Sequence, residues 1–275
     1  MAYKIKKGII YLLLIILGVI CLLPFLLMAV NSTRSGNEIM TSFTLIPGDS
    51  LKENLDIVFD YFNLFRGFLN SVIVAVPATL LTAYFSSLTA YALAIYNFKG
   101  KKLLFGVIIV FLMIPGQLGL IGFYNLVSKL KLVDNYIPLI IPAIAAPGTV
   151  FFLRQYILST LPHTLLEAAR IDGAGELKIF HKIVIPVISP GIATMSIGAF
   201  IGNWNSYLVP LIILNTPSKF TLPVMVASLS SSTDISANQG AIYLSITISC
   251  IPILIVFAFC SKYIISSISA GSVKE

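Results

Sequence analysis

Glu167–Pro190 reads EAARIDGAGELKIFHKIVIPVISP, the longest charged, helix-like passage in a chain that is otherwise strongly apolar. It gathers Glu167, Arg170, Asp172, Glu176, Lys178 and Lys182 within sixteen residues, with His163 and His181 alongside. Leu161, Leu165 and Ala169, with Leu166 beside them, form an apolar stripe at helical spacing ahead of Asp172-Gly173. Pro162 sits where a first helical turn tolerates a missing N–H, and Ser159 or Thr160 can cap that turn. Gly173 can take the left-handed conformation that ends a helix, leaving Asp172 to cap the next one. A second short helix then carries Leu177, Phe180 and Val184 on one face and Lys178, His181 and Lys182 on another. Pro186 and Pro190 reshape the entry to the next apolar run. The pattern predicts an elbow of two short helices with small residues at its bend, a surface made to dock another protein.

Around it the chain is membrane-like. Hydrophobic residues make up 57% and charged residues 11%, against roughly 25% charged in ordinary globular domains. Six apolar runs are long enough to cross a bilayer: Ile9–Val30, Leu69–Ala94, Leu103–Val127, Tyr136–Leu158, Ile183–Leu214 and Gly240–Ile265. The first follows Lys4, Lys6 and Lys7 like a secretory signal. At 22 residues it exceeds the roughly 7–15 of a signal core, so it reads as an uncleaved span. The expectation is an all-α integral membrane protein, residues 1–275 forming a single domain of six transmembrane helices with the elbow, 159–182, between spans four and five.

Charge gives the orientation. Six spans put both termini on one side, and that side collects 12 of the 18 Lys and Arg residues. Lys99, Lys101 and Lys102 lie in a very short loop, where the positive-inside rule is strongest. Both termini and the elbow are therefore expected in the cytoplasm. The net charge of +7 is scattered over short loops, without a basic helix or aromatic-basic interleaving, which excludes a nucleic-acid partner. The outer segment Asn31–Phe68 is long for a connection and reads as a solvated cap or a docking surface.

The spans restrict the chemistry. Their cores lack Asp, Glu, Lys, Arg and His, which a proton- or ion-coupled carrier needs. Cys21, Cys250 and Cys260 lie in apolar runs without CxxC spacing, so neither a metal nor a disulfide is expected. The two histidines have no nucleophile partner, so no catalytic residues are assigned and the chain is not read as an enzyme. Many spans contain proline, which suits kinked helices in a bundle that moves. The fifth carries one polar cluster, Asn203, Trp204, Asn205, Ser206 and Tyr207. Amides beside aromatic faces suit a neutral hydroxylated solute such as a sugar; they equally suit bonds between helices. Asn70, opening span two, reads as a cap.

Glu167-Ala168-Ala169, Asp172-Gly173-Ala174, Phe180, Pro186 and Pro190 fill every fixed position of EAA-x-x-DGA-x5-F-x5-P-x3-P, so the passage resembles the EAA loop of ABC importer permeases. Asn70-Ser71, Ala90–Ala94 with Phe98–Lys101, Trp204-Asn205 with Pro210-Leu211, Thr221–Pro223 and the tail Ala270–Lys274 are similar to carbohydrate permeases of the maltose type. The resemblance spans nearly the whole chain. It implies a subunit of an ATP-driven sugar or oligosaccharide importer in a bacterial-type inner membrane. Its implied partners are a second, unequal permease, an ATPase dimer and an extracytoplasmic solute-binding protein. Glu167, Ala168, Ala169, Asp172, Gly173 and Ala174 would seat in the ATPase; Asn203, Trp204, Asn205 and Tyr207 would face the solute. No GxxxxGK[ST] is present, so ATP and magnesium belong to the partner ATPase. A permease for a non-sugar solute (peptide, amino acid or polyol phosphate) is the alternative, because the EAA loop is common to importers.

Overall fold

The computed structural model describes residues 2–231 and 239–272, with side chains described from 6 to 259 outside 232–238. The side chain of Cys260 and the end of the tail, 273–275, lie outside the described residues. Among those described there is helix and loop but no strand. Five helices are long and apolar enough to cross a membrane: Lys6–Asn31, Leu64–Ile95, Ile137–Thr160, Glu176–Trp204 and Gln239–Phe259. A sixth candidate is the pair Lys101–Met113 and Gly116–Lys129, which is bent by 93°. This is an all-α, multi-pass membrane protein.

Two compact units emerge, one from Met1–Phe68 and Leu222–Ile251, the other from Leu69–Thr221 and Pro252–Glu275. The first contains α1 (Ala2–Asn31), α2 (Gly36–Thr41) and α3 (Leu51–Tyr61). Arg34, only 4% exposed, organises the segment after α1. Its guanidinium donates to Asn31 Oδ1, to the carbonyls of Glu38 and Ser42, and to Ser42 Oγ, over 2.7–3.1 Å. Ser35 and Glu38 form a capping box at the start of α2. Asn54 on α3 donates to the Ser32 and Arg34 carbonyls. The 31–68 segment is thus built around buried polar groups that are satisfied locally, not an open loop.

The second unit begins within α4 (Leu64–Ile95) and continues through α5 (Lys101–Met113) and α6 (Leu120–Lys129). The third apolar run, Leu103–Val127, is not one continuous helix but is broken at its proline. Ile114 is extended ahead of Pro115, as a residue before proline prefers, and Gly116–Gly119 form a 3-10 turn. Span four is likewise assembled from α7 (Ile137–Ile140), a 3-10 turn over Ile141–Ile144 and α8 (Pro147–Thr160), with prolines at each joint. Asn70 does not cap α4, which starts six residues earlier. Its amide donates to the Ser218 and Phe220 carbonyls at 2.9 Å.

One further joint in this unit is polar. Asp134, in the left-handed region at φ 60°, accepts from the Asn215 and Thr216 amides, Thr216 Oγ1 and Lys219 Nζ at 2.7–3.0 Å. The Lys219 ammonium, then the Thr216 and Asn215 donors, hold this carboxyl well below the usual carboxylate range. A depressed carboxylate contributes stability above its unfolded-state value and loses it only as pH falls through the folded value. The tether should therefore be constant from pH 8 to 5 and weaken only in strong acid. Asp134→Asn should lower the thermal midpoint at neutral pH and flatten its acid dependence. Identical acid profiles for the two proteins would contradict this.

Candidate functional site

The charged passage leaves the bundle where α8 stops. Leu161 bonds back to the Ile157 carbonyl, and Pro162 itself takes the position preceding α9 (His163–Ile171). Ser159 and Thr160 do not cap it; Ser159 Oγ donates to the Tyr156 carbonyl. Leu161, Leu166 and Ala169 face the core, whereas Leu165 turns out and is 41% exposed. The helix closes with a Schellman arrangement: Gly173 N–H bonds the Arg170 carbonyl, and Ala174 N–H the Ala169 carbonyl, both at 3.0 Å. Gly173 has φ 77°, which glycine alone takes freely.

After the bend the expected second short helix is instead the first turn of a long one. Gly175, not Asp172, precedes α10 (Glu176–Ile179). A π-helical turn over Phe180–Val184 leads from it into α11 (Ile185–Trp204). The sequence explains the irregularity. Pro186 has no N–H for the Lys182 carbonyl, and the wider turn absorbs that loss. Pro190 frees the Pro186 carbonyl in the same way, and Ser189 Oγ donates to it at 2.9 Å.

Glu167, Ala168, Asp172 and Gly173 are exposed at the bend, Ala174 is half-buried and Ala169 is buried. The structure adds Ile171, 86% exposed, and Leu177, 68% exposed, two apolar side chains that helical spacing alone does not place outside. Beneath them Ala169, Ile179, Phe180 and Val184 share one core with Ala90, Tyr91 and Leu93 of α4 and Leu153 and Ile157 of α8. The Phe180 ring lies 5.7 Å from that of Tyr91. Tyr96, just past α4, donates to the Glu176 carboxylate. Burial first, and then that bond, push its phenol above its ordinary value, so it remains the proton donor.

At the other end of α11 the expected fifth span is interrupted. Helix stops at Trp204, Asn205 and Ser206 turn, and α12 (Leu208–Ile213) resumes after Tyr207. Two adjoining cavities open there. One, of about 390 Å³, is lined by Asn203 and Ser206 together with Gly116, Gly119, Pro138 and Pro142. The other, of about 490 Å³, is lined by Asn205, Ser206 and Tyr207 with Gly116 and Gln117. Asn203 Nδ2 reaches Thr79 Oγ1 at 3.4 Å. The Gly116–Gly119 turn is a wall that the candidate residues do not include, although Pro115-Gly116 is a strong turn signal. Trp204 lines neither cavity: it is 2% exposed and stacked on Phe200 at 5.7 Å. The walls are mostly apolar, with Leu120 and Val209 in both, and the polar side chains set into them are amides and hydroxyls without charge. Among the described residues no cluster of acidic, histidine or cysteine side chains could hold a metal ion.

A family described as "Binding-protein-dependent transport system inner membrane component" matches residues 75–269. The arabinooligosaccharides transport system permease protein AraQ of Halalkalibacterium halodurans is 38% identical over 93% of this chain and 92% of its own length. The diacetylchitobiose uptake system permease protein NgcG of Streptomyces coelicolor is 33% identical over 94% of this chain and 86% of its own. The fold is also that of a chain in a bacterial ABC transporter involved in the import of the acidic polysaccharide alginate. The two superpose with a TM-score of 0.81 at 24% identity, covering 95% of this chain and 97% of the other.

Proposed function

We propose that this chain, which belongs to the binding-protein-dependent transport system inner membrane component family, is a permease subunit of an ATP-driven importer of a sugar or oligosaccharide. The observation that carries the mechanism is a single helical rod. Glu176–Trp204 runs for 29 residues, about 43 Å at 1.5 Å per residue. At one end lies the bend of Glu167, Ala168, Ala169, Asp172, Gly173 and Ala174, and at the other the cavities of Asn203, Asn205 and Tyr207. A push at the bend is thereby delivered to the solute cavity along one continuous helical element, the rigid-body class of switching.

In this reading the bundle has six spans, the third being the bent pair, and both termini and the bend lie in the cytoplasm. An ATPase dimer carrying ATP and magnesium receives the bend, a second permease completes the pathway, and an extracytoplasmic binding protein delivers the solute. Three features support a neutral hydroxylated solute: the amides and hydroxyls set into a mostly apolar cavity wall, the lack of charged side chains in that lining, and the oligosaccharide systems for which two relatives are named. Asn203, Asn205 and Tyr207 contact the solute, Gln117 joins them, and Trp204 fixes the turn that presents them.

The test is the purified complex in proteoliposomes with its binding protein. Arabino-, chito- or related oligosaccharides should stimulate ATP hydrolysis and enter the vesicles. Stimulation by peptides, amino acids or glycerol phosphate alone would overturn the sugar assignment.

A further inference from the structure

We propose that Glu176 is a positioning residue that locks the bend to the end of α4, so that the two move as one body when the bend is pushed. The inference rests on the transport function proposed for the chain and adds a specific part to it. The Glu176 carboxylate sits immediately after the bend and collects donors from three places. Arg170, on the far limb, gives Nε to Oε1 at 2.8 Å and Nη2 to Oε2 at 3.4 Å. Tyr96 donates to Oε2, and Tyr91, on α4, reaches the same oxygen at 3.4 Å. The Arg170 guanidinium also faces the Tyr96 ring, 6.0 Å from its centre.

The remaining ties between the bend and α4 are mostly apolar, Ala169, Phe180 and Val184 against Tyr91 and Leu93, with one polar contact farther along the π turn, Tyr84 Oη to His181 Nε2 at 3.3 Å. Apolar burial holds surfaces together without fixing their register, whereas bonds to an ionised acceptor are directional and strong. The end of α4 is satisfied independently. Lys101 Nζ donates to the Tyr96 and Ala94 carbonyls, and Arg154 Nε to that of Leu93. The tyrosine-to-Glu176 bonds are therefore not needed to complete α4. The Arg170–Glu176 pair is about 39% and 47% exposed, and pairs that open to solvent contribute little to stability. The arrangement holds geometry more than it holds the fold.

The experiment uses the whole complex in proteoliposomes and compares Glu176→Ala, Glu176→Gln and the double variant Tyr91→Phe/Tyr96→Phe with the parent. Three quantities are read: assembly, thermal midpoint, and solute taken up per ATP hydrolysed. Uptake per ATP should fall about fivefold or more in Glu176→Ala, the low end of ordinary coupling between sites. The tyrosine double variant should fall similarly and Glu176→Gln less, with assembly and midpoint kept in all three. Parental uptake per ATP in the tyrosine variant overturns the lock, since the bend would then need no tie to α4. So does a loss in Glu176→Ala that tracks only a lowered midpoint or failed assembly. Failure of the underlying transport function looks different, because the parent complex itself would then show no ATP-dependent uptake.

Discussion

Replacing Gly173 with aspartate should abolish uptake and solute-stimulated ATP hydrolysis while leaving the chain folded in the membrane. Two effects separate cleanly at this position. Gly173 holds φ 77°, and a side chain in that region costs roughly 1–2 kcal/mol, with aspartate among the better-tolerated residues. Beyond its immediate chain neighbours, no atom of the described residues lies within 4 Å of a Cβ built there, so no internal clash adds to that cost. Single substitutions of about this size rarely unfold a protein outright. The open space at Gly173 is where the proposed ATPase cleft would close, and a carboxylate there meets a partner, not its own fold. Gly173→Ala, with the strain but neither bulk nor charge, should retain part of the activity. Membrane abundance, co-purification of the ATPase and uptake distinguish the cases. Normal uptake by the aspartate variant would remove the bend from the coupling path; loss of the protein from the membrane would make Gly173 a folding residue.

Much of this bend is legible from residue type alone, because its cause is local. A glycine that must adopt positive φ, an Asp-Gly pair and two prolines are covalent facts that tertiary context rarely overrides. Which residues of α9 point inward is less legible. Leu165 and Leu166 are adjacent and equally apolar, and packing against Leu153 and Ile157 selects Leu166. How sharply the chain turns at Pro115-Gly116 and Asn205-Ser206 is hidden for a different reason, even though the proline itself signals a kink. Hydropathy averages over a window and is blind to backbone direction, so one apolar run can contain a 93° bend. Asp134 lies beyond reach altogether, since its partners are some 80 residues away and only the folded chain brings them together. The same holds for Glu176 and Tyr96, whose pairing turns a charge in a motif into a tie between elements.

Trp204 carries the largest expected stability effect. Beside Asn203 and Asn205 it invites reading as a stacking platform for a sugar ring. Its indole is 2% exposed against Phe200, and it is the largest of the fully buried side chains. Truncating a buried Trp to alanine costs about 3–5 kcal/mol where the surroundings cannot collapse. Trp204→Ala should therefore lower the thermal midpoint of the purified complex sharply and reduce uptake through loss of active protein. Trp204→Phe, which keeps a ring against Phe200, should recover most of the midpoint. Asn205→Ala behaves in the opposite way. The residue is exposed on the turn and lines the larger cavity, so its loss should leave the midpoint unchanged and raise the solute concentration needed for half-maximal uptake. The contrast is decisive because the two side chains are neighbours in sequence and differ in surroundings. If Trp204→Ala kept its midpoint but shifted the solute dependence, the indole would be a solute contact after all. The α11–α12 turn would then have to open far enough to bring a buried ring into the cavity.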